Sequence, residues 1–577
     1  MVFLGVEQSL SGRAWVGPSP EDERLAEAIT QGAGLPLPVA RVLARRGVAP
    51  DAAAGFLAPT LRDLLPDPLT LRDMGPAAAR LVHALRARQR IAVFADYDVD
   101  GGASAALLLC WLRDMGHGAT LYVPDRIDEG YGPNVPAMQA LGRAHDLIIC
   151  VDCGTLSHEP IAAAGCDVVV LDHYLGGETL PPALAVVNPN RQDEPGGLGH
   201  LCAAGVVFLS LVEANRQLRA DGIKGPDLMQ YLDLVALATV ADVAPLIGVN
   251  RALVRQGLTI MARRQRPGLV ALGDVSRLDR APDSHTLGFM FGPRVNAGGR
   301  IGQADLGARL LACDDPAQAQ LMAQRLDELN TERRTIEMAV RTEALAQAEA
   351  RGVDGALVWA AGEGWHPGVV GIAAARMKEA FDRPSVVIGI ENGIGKGSAR
   401  SISGIDLGAA VQRVAAEGLL IKGGGHRMAA GLTVAQDMIE PAMARLTELL
   451  DRQGAARGGP RDLAVEGVLA PEGLTPDLVE RIEAAGPFGA SAPAPRFVIP
   501  DQQIRDIRRI GESHLKFSFG DGPRKLSAIC FGAFDGPLGP VLASGAAGRY
   551  HLAGRVEINT WGGRQSVQLR LEDAARA

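Results

Sequence analysis

The feature that most constrains this chain is a repeated pattern in which a short, unbroken apolar run stops at an acid. Ile91–Ala95 runs into Asp96-Tyr97-Asp98-Val99-Asp100-Gly101-Gly102, Ile148–Val151 into Asp152-Cys153-Gly154, and Val168–Leu171 into Asp172-His173. Apolar runs without alternation are what strands buried on both faces look like. Helical patterns lie between them, at Ser104–Met115, near Val135–Arg143 and near Ser157–Ala164, with a further strand at Thr120–Val123. Strand and helix in alternation predict an α/β fold with a doubly wound parallel sheet. Ligands of such sheets bind beyond the carboxyl ends of the strands, which is where all three acidic groups fall.

The acids themselves point to cations. In an extended chain Asp96, Asp98 and Asp100 project to one side. Three carboxylates on one side repel each other, and a carboxylate beside buried strand residues is costly unless something offsets its charge. Asp242, in Thr239-Val240-Ala241-Asp242-Val243 after the apolar helix Leu232–Leu237, is a fourth contribution. Oxygen donors with one imidazole suit Mn²⁺ or Mg²⁺ better than a structural zinc. So many carboxylates imply two ions, and a pair about 3.5–4 Å apart is the usual arrangement for in-line attack on phosphorus.

Further along, residues 205–265 read as mostly helical and 314–350 as one long Ala- and Glu-rich helix joining two lobes. Strands at Ala356–Ala360 and Ser385–Ile390 start a second α/β domain. A Gly-rich linker is expected at 453–460. The β-rich runs His514–Phe519, Lys525–Phe531 and His551–Ile558 follow, as in a small oligonucleotide-binding barrel. The division that results is an N-terminal helical extension (1–75), a catalytic domain (76–310), a connecting helix (311–352), a second α/β domain (353–452) and an all-β barrel (461–577).

Net charge is −8, which argues against the whole surface being a polyanion binder. Basic residues cluster locally instead, at Arg41, Arg45 and Arg46; Arg86, Arg88 and Arg90; Arg263, Arg264 and Arg266; and Arg505, Arg508 and Arg509. Seven irregularly spaced cysteines argue against a disulfide framework, and Cys150-x-x-Cys153 has no second pair with which to build a zinc site. There is no signal-peptide pattern and no uncharged apolar stretch of about 18 residues, so the expectation is a cytoplasmic protein with no membrane partner.

The order of these motifs resembles the DHH phosphoesterases, and within them the RecJ group of exonucleases. The residues that carry the resemblance are Ala95-Asp96-Tyr97-Asp98-Val99-Asp100-Gly101, Val151-Asp152-Cys153-Gly154, Asp172-His173-Tyr174, Val187-Asn188-Pro189-Asn190 and Thr239–Val243. Gly292-Pro293-Arg294-Val295-Asn296-Ala297-Gly298-Gly299-Arg300, Trp365-His366-Pro367-Gly368 and Gly423-Gly424-Gly425-His426 extend it over nearly the whole chain. The resemblance implies a DHH domain, a DHHA1-like domain and an OB-like barrel. It also implies degradation of single-stranded DNA from the 5′ end to mononucleotides with Mn²⁺ or Mg²⁺, in DNA repair and recombination. Candidate assisting partners are a single-strand-binding protein and a helicase.

Carried onto this sequence, the resemblance makes Asp98, Asp100, Asp152, His173 and Asp242 metal ligands, with Asp96 a ligand or a neighbouring acid and Asp172 and Tyr174 beside the metals. Arg126 would hold a 5′ phosphate. Arg294, Asn296, Arg300, Ser398, Arg400, Gly424, Gly425 and His426 would line the other wall, because Arg forks and Gly-rich amides suit phosphate oxygens. Tyr174 departs from the pattern, standing where a second His is expected. A phenol offers one neutral hydrogen bond, so slower turnover is expected. Phe517 and Phe519 share one face of a strand and are either base-stacking rings or barrel core. Two rival functions are a DHH esterase for short oligonucleotides or other small phosphodiesters, and a DNA-binding scaffold without turnover.

Overall fold

The computed structural model describes residues 2–457, 462–521, 525–544, 548–561 and 564–577. It divides into two compact units, Asp67–Asp242 with Gly257–Pro460, and Met1–Pro66 with Val243–Gln256 and Arg461–Ala577.

The larger unit opens with a five-stranded parallel sheet. Its order is Ala119–Tyr122, Ile91–Ala95, Leu147–Val151, Asp167–Leu171, Ala185–Val187. Helices Val135–Ala144 and His158–Ala162 cover the face that bears Ala92, Phe94, Ile148, Cys150, Val168 and Val170. Successive connections run in opposite directions from Ile91–Ala95, so the sheet has its switch point between this strand and Leu147–Val151. A crevice opens at such a point, and Asp96 and Asp152 are the residues that follow those two strands.

The helix after the first strand starts at Val99, earlier than the expected Ser104. Asp98 is its N-cap, accepting through Oδ1 from the amides of Asp100 (2.9 Å) and Gly101 (3.1 Å). Asp100 therefore lies in the first helical turn, and strand alternation is not what gathers the three acids. Gly101 is required here, because a Cβ would sit 2.4 Å from the carbonyl oxygen of Asp96.

The long helix is Pro316–Arg351, with Asp315 as N-cap and Pro at its start. It packs on the helix Gly292–Ile301 and on the helix Pro367–Phe381, so it spans both halves of the unit. The second half is a mixed sheet in the order Lys422–His426, Ala429–Ala435, Ile394–Arg400, Ser385–Glu391, Val358–Glu363. Of the linker expected at 453–460, residues 458–460 lie outside the described residues, and Ala455–Arg457 form a short 3-10 turn.

In the smaller unit, Phe497–Ile510, His514–Phe519, Leu526–Cys530, Arg564–Arg576 and Arg549–Trp561 close, in that order, into a five-stranded barrel. The N-terminal helices share its core: Ile29, Val39 and Leu43 belong to one apolar cluster with Val479, Ile482, Leu515 and Tyr550. Arg251 ties the unit together, its guanidinium 3.7 Å from the centre of the Phe56 ring and bonded to the carbonyls of Phe56, Ala485 and Gly486. Phe517 and Phe519 are each 1 % exposed. They are barrel core, so the base-stacking alternative is withdrawn: the face they share points inward, where no nucleobase reaches.

Candidate metal centre and phosphate pocket

Backbone amides aim several of the site acids. Asp100 accepts through both oxygens from the amides of Ala203 (2.7 Å) and Ala204 (2.8 Å), which open the helix Ala203–Ala220. Asp152 is fully buried with φ +60°, a left-handed conformation that a non-glycine residue holds only where its surroundings impose it. His173 follows Asp172, and Asp242 caps the carboxyl end of the helix Leu232–Ala241.

Two groups of three result. One ligand atom each from Asp100, His173 and Asp242 lie within 4.8 Å of one another, and so do one each from Asp96, Asp98 and Asp152. Asp152 joins the groups, because His173 Nε2 lies 3.3 Å from its Oδ1, 3.6 Å from Asp100 Oδ2 and 3.7 Å from Asp242 Oδ2.

Both oxygens of Asp152, Oδ1 of Asp96 and Nε2 of His173 are buried without a hydrogen-bond partner among the described residues. Burial, then the neighbouring carboxylates, pushes Asp152 and Asp96 well above the usual carboxylate range and Asp242 up to about 9. Burial raises Asp100 as well. Orphaned donor atoms converging from buried carboxylates fit divalent cations, and carboxylates with one imidazole are the donor set of Mn²⁺ or Mg²⁺.

Asp172 has a different task. It accepts from the amides of Thr155 (3.0 Å), His173 (2.7 Å) and Tyr174 (3.2 Å), so it clamps the turn that presents His173. Asn188, buried beside it, donates to Thr155 Oγ1 (2.9 Å) and to the Tyr174 carbonyl (2.7 Å). The Tyr174 ring is 4.6 Å from that of His173 and edge-on to Tyr131 at 5.7 Å. Asp152, then burial, raises the phenol far above its ordinary value, so it stays protonated.

The opposite wall is cationic. Burial, then Arg126 and Arg333, pushes the Arg300 guanidinium down to about 10, and burial and Arg126 lower Arg400. Arg126 lies over the Tyr97 ring at 5.0 Å. Among the described residues none of these three arginines has a carboxylate partner: Arg300 donates to the Gly368 carbonyl (2.9 Å), and Arg400 to Ser398 Oγ and the Ala399 carbonyl (both 2.9 Å). Crowded guanidinium groups without a carboxylate partner, two of them desolvated, are suited to an anion. Register extends it, because Ser398 pairs across Gly431 with Gly424, and Arg400 across Ala429 with His426. Gly425 between them has φ +155°, and a Cβ there would meet the Ala429 carbonyl at 2.4 Å.

Two expected wall residues have partners within the protein. Arg294 is paired with Asp327 (2.8 Å) and bonded to the Met290 carbonyl, which removes it from the unpaired set. Asn296 accepts the Val99 amide (3.1 Å) and so steadies the acidic turn. Sequence reasoning missed the amides of Ala203 and Ala204, since every residue type but proline carries that donor. It also missed Asn188, although the Asn-Pro-Asn run marked the position.

Residues 90–239 match the DHH family N-terminal domain, 354–453 the DHHA1 domain and 465–573 the RecJ OB domain. The single-stranded-DNA-specific exonuclease RecJ of Dickeya dadantii is 39 % identical over 564 residues, covering 93 % of this chain and 96 % of that protein. The crystal structure of RecJ from Thermus thermophilus in complex with Mn²⁺ superposes with a TM-score of 0.79 at 30 % identity, over 97 % of this chain and 79 % of that one. Its Mg²⁺ complex gives 0.74 at 28 % identity, over 98 % and 78 %. With buried acids gathered at the switch point and both relatives matched over most of their length, the chain belongs to the RecJ family.

Proposed function

We propose that this chain is a divalent-metal-dependent, single-stranded-DNA-specific exonuclease that works from the 5′ end and releases nucleoside 5′-monophosphates. The observation that carries the reading is the pair of three-residue donor groups, with orphaned buried carboxylates, in the same unit as a set of unpaired arginines. Asp100, His173 and Asp242 would hold one ion and Asp96, Asp98 and Asp152 the other. Mn²⁺ or Mg²⁺ bound there supplies positive charge for the phosphoryl oxygens and lowers the pKa of water.

The chain's own residues do the rest. Arg126, Arg300, Arg400 and Ser398 bind the terminal phosphate by charge-assisted hydrogen bonds, and so fix which phosphodiester meets the acids. Asp172, Asn188 and Asn296 orient the turns that carry His173 and the acidic segment. Tyr174 donates a neutral hydrogen bond next to the donor cluster. The barrel binds single-stranded DNA, and a single-strand-binding protein and a helicase supply the strand in the cytoplasm. No helix among the described residues is long and apolar enough to cross a membrane.

Single strands labelled at either end test the proposal. The 5′ label is expected to leave first, as mononucleotide, with Mn²⁺ present, and circular strands are expected to stay intact. Release of the 3′ label first, faster hydrolysis of dinucleotides than of long strands, or no turnover with Mn²⁺ would contradict it.

A further inference from the structure

In Trp365-His366-Pro367-Gly368, only the Gly368 carbonyl belongs to the arginine wall described above. Trp365 is pinned, its indole N–H donating to Glu343 (2.9 Å) on the long helix. His366 is the N-cap of the helix Pro367–Phe381, and its Nδ1 accepts the amide of Gly368 (3.0 Å). A ring nitrogen that accepts an amide carries no hydrogen, so in the neutral ring the hydrogen is on Nε2. No described residue bonds to that nitrogen.

The same helix end meets the arginine wall at three points. The Gly368 carbonyl takes the Arg300 hydrogen bond, and a Cβ on Gly368 would lie 2.4 Å from the Arg300 carbonyl. One turn on, a Cβ on Gly371 would lie 2.9 Å from Ser398 Oγ and 3.0 Å from Arg400 Nη2. Burial, then Arg126, lowers the imidazole pKa against the opposing pull of Glu391 and Glu332, which keeps the ring neutral.

We infer that His366 is a further phosphate-binding residue: a neutral donor, locked in one tautomer by the helix it caps, that offers Nε2–H to the 5′-terminal phosphate beside Arg300 and Arg400. A neutral donor suits this place because it adds a hydrogen bond without adding a charge to guanidinium groups that already crowd one another. The inference rests on the proposed terminal-phosphate pocket.

His366→Asn separates the two tasks of the ring, since Asn is a good N-cap but lacks the Nε2 donor. His366→Ser, another good cap, repeats the test in case Asn alone disturbs the turn. The readouts are Tm, and KM and kcat with Mn²⁺ on oligothymidylate bearing a 5′ phosphate or a 5′ hydroxyl. Both variants are expected to keep the parent's Tm and kcat, raise KM for the phosphorylated strand about tenfold, and leave the hydroxyl strand unchanged. A parent that prefers the phosphorylated end, with variants that match it, would overturn this assignment alone and leave His366 a cap. A parent indifferent to the end group would overturn the pocket and the assignment with it.

Discussion

The acidic edge and the arginine wall of the larger unit carry opposite charge faults. At the edge, burial drives Asp96, Asp152 and Asp242 towards protonation. At the wall, burial and like charge drive Arg300 and Arg400 the other way. The acids are held by backbone amides and strand ends close to them in the chain or at a neighbouring helix start. The arginines come from a loop, a helix and a strand far apart in sequence. Under the proposed function, cations would offset the first and a terminal phosphate the second, so a bound strand end with its ions would neutralise both. The edge should therefore govern turnover, and the wall affinity.

The largest expected effect is at the edge. Asp152→Asn keeps the left-handed turn, which Asn tolerates, but removes a charge from the middle of both donor groups. Turnover with Mn²⁺ should fall at least about 100-fold, while Tm in chelator rises by about 2–4 °C. A variant with parental turnover would break the comparison at its strongest point.

Next come the wall variants. Arg300→Ala and Arg400→Ala should each raise KM for 5′-phosphorylated strands roughly 10–100-fold, the worth of a charge-assisted hydrogen bond, with kcat much less affected. If they depressed kcat and spared KM instead, the division of labour would be lost.

The pH dependence sharpens the same contrast. Asp96, Asp100, Asp152 and Asp242 have folded pKa values raised above the unfolded value of about 3.9. Between the two values the folded chain holds more protons than the unfolded chain. Their contribution is therefore fully present below pH of about 4 and is lost as pH rises through the folded values, up to about 9 for Asp242. Tm in chelator should fall across that window, and saturating Mn²⁺ should flatten the fall because cations replace the protons. A Tm in chelator that rises with pH would contradict the burial of these charges.

The smallest effect concerns Tyr174. Its phenol gives one neutral hydrogen bond where an imidazolium could offset developing charge. Tyr174→His should raise the single-turnover rate at saturating Mn²⁺ by about tenfold or less, with DNA affinity little changed. A variant no faster than the parent would show that the ring's packing on His173 and Tyr131 matters more than the missing charge.

The acidic edge was legible because each of its strands ends at the acid, within one stretch of sequence. Its geometry was not: alternation along a strand predicted that Asp96, Asp98 and Asp100 converge, whereas the helix begins at Val99 and Asp98 caps it. Asp172 was expected beside the metals, but that it would act there by accepting three amides around His173 was not legible, because those donors are main chain. Arg294 and Arg300, on one short helix, look alike in sequence, yet Asp327 on another helix takes the first. Phe517 and Phe519 show the limit of period-two reasoning, which says that two rings share a face but not whether that face points in or out.

Six side chains are proposed to form two cation sites, with Asp152 between them. Mn²⁺ bound per chain, counted by equilibrium dialysis with metal analysis, tests it most directly. Two ions are expected for the parent and one for Asp242→Asn. A parent that binds one ion or none, or an Asp242→Asn variant that keeps both, would contradict it.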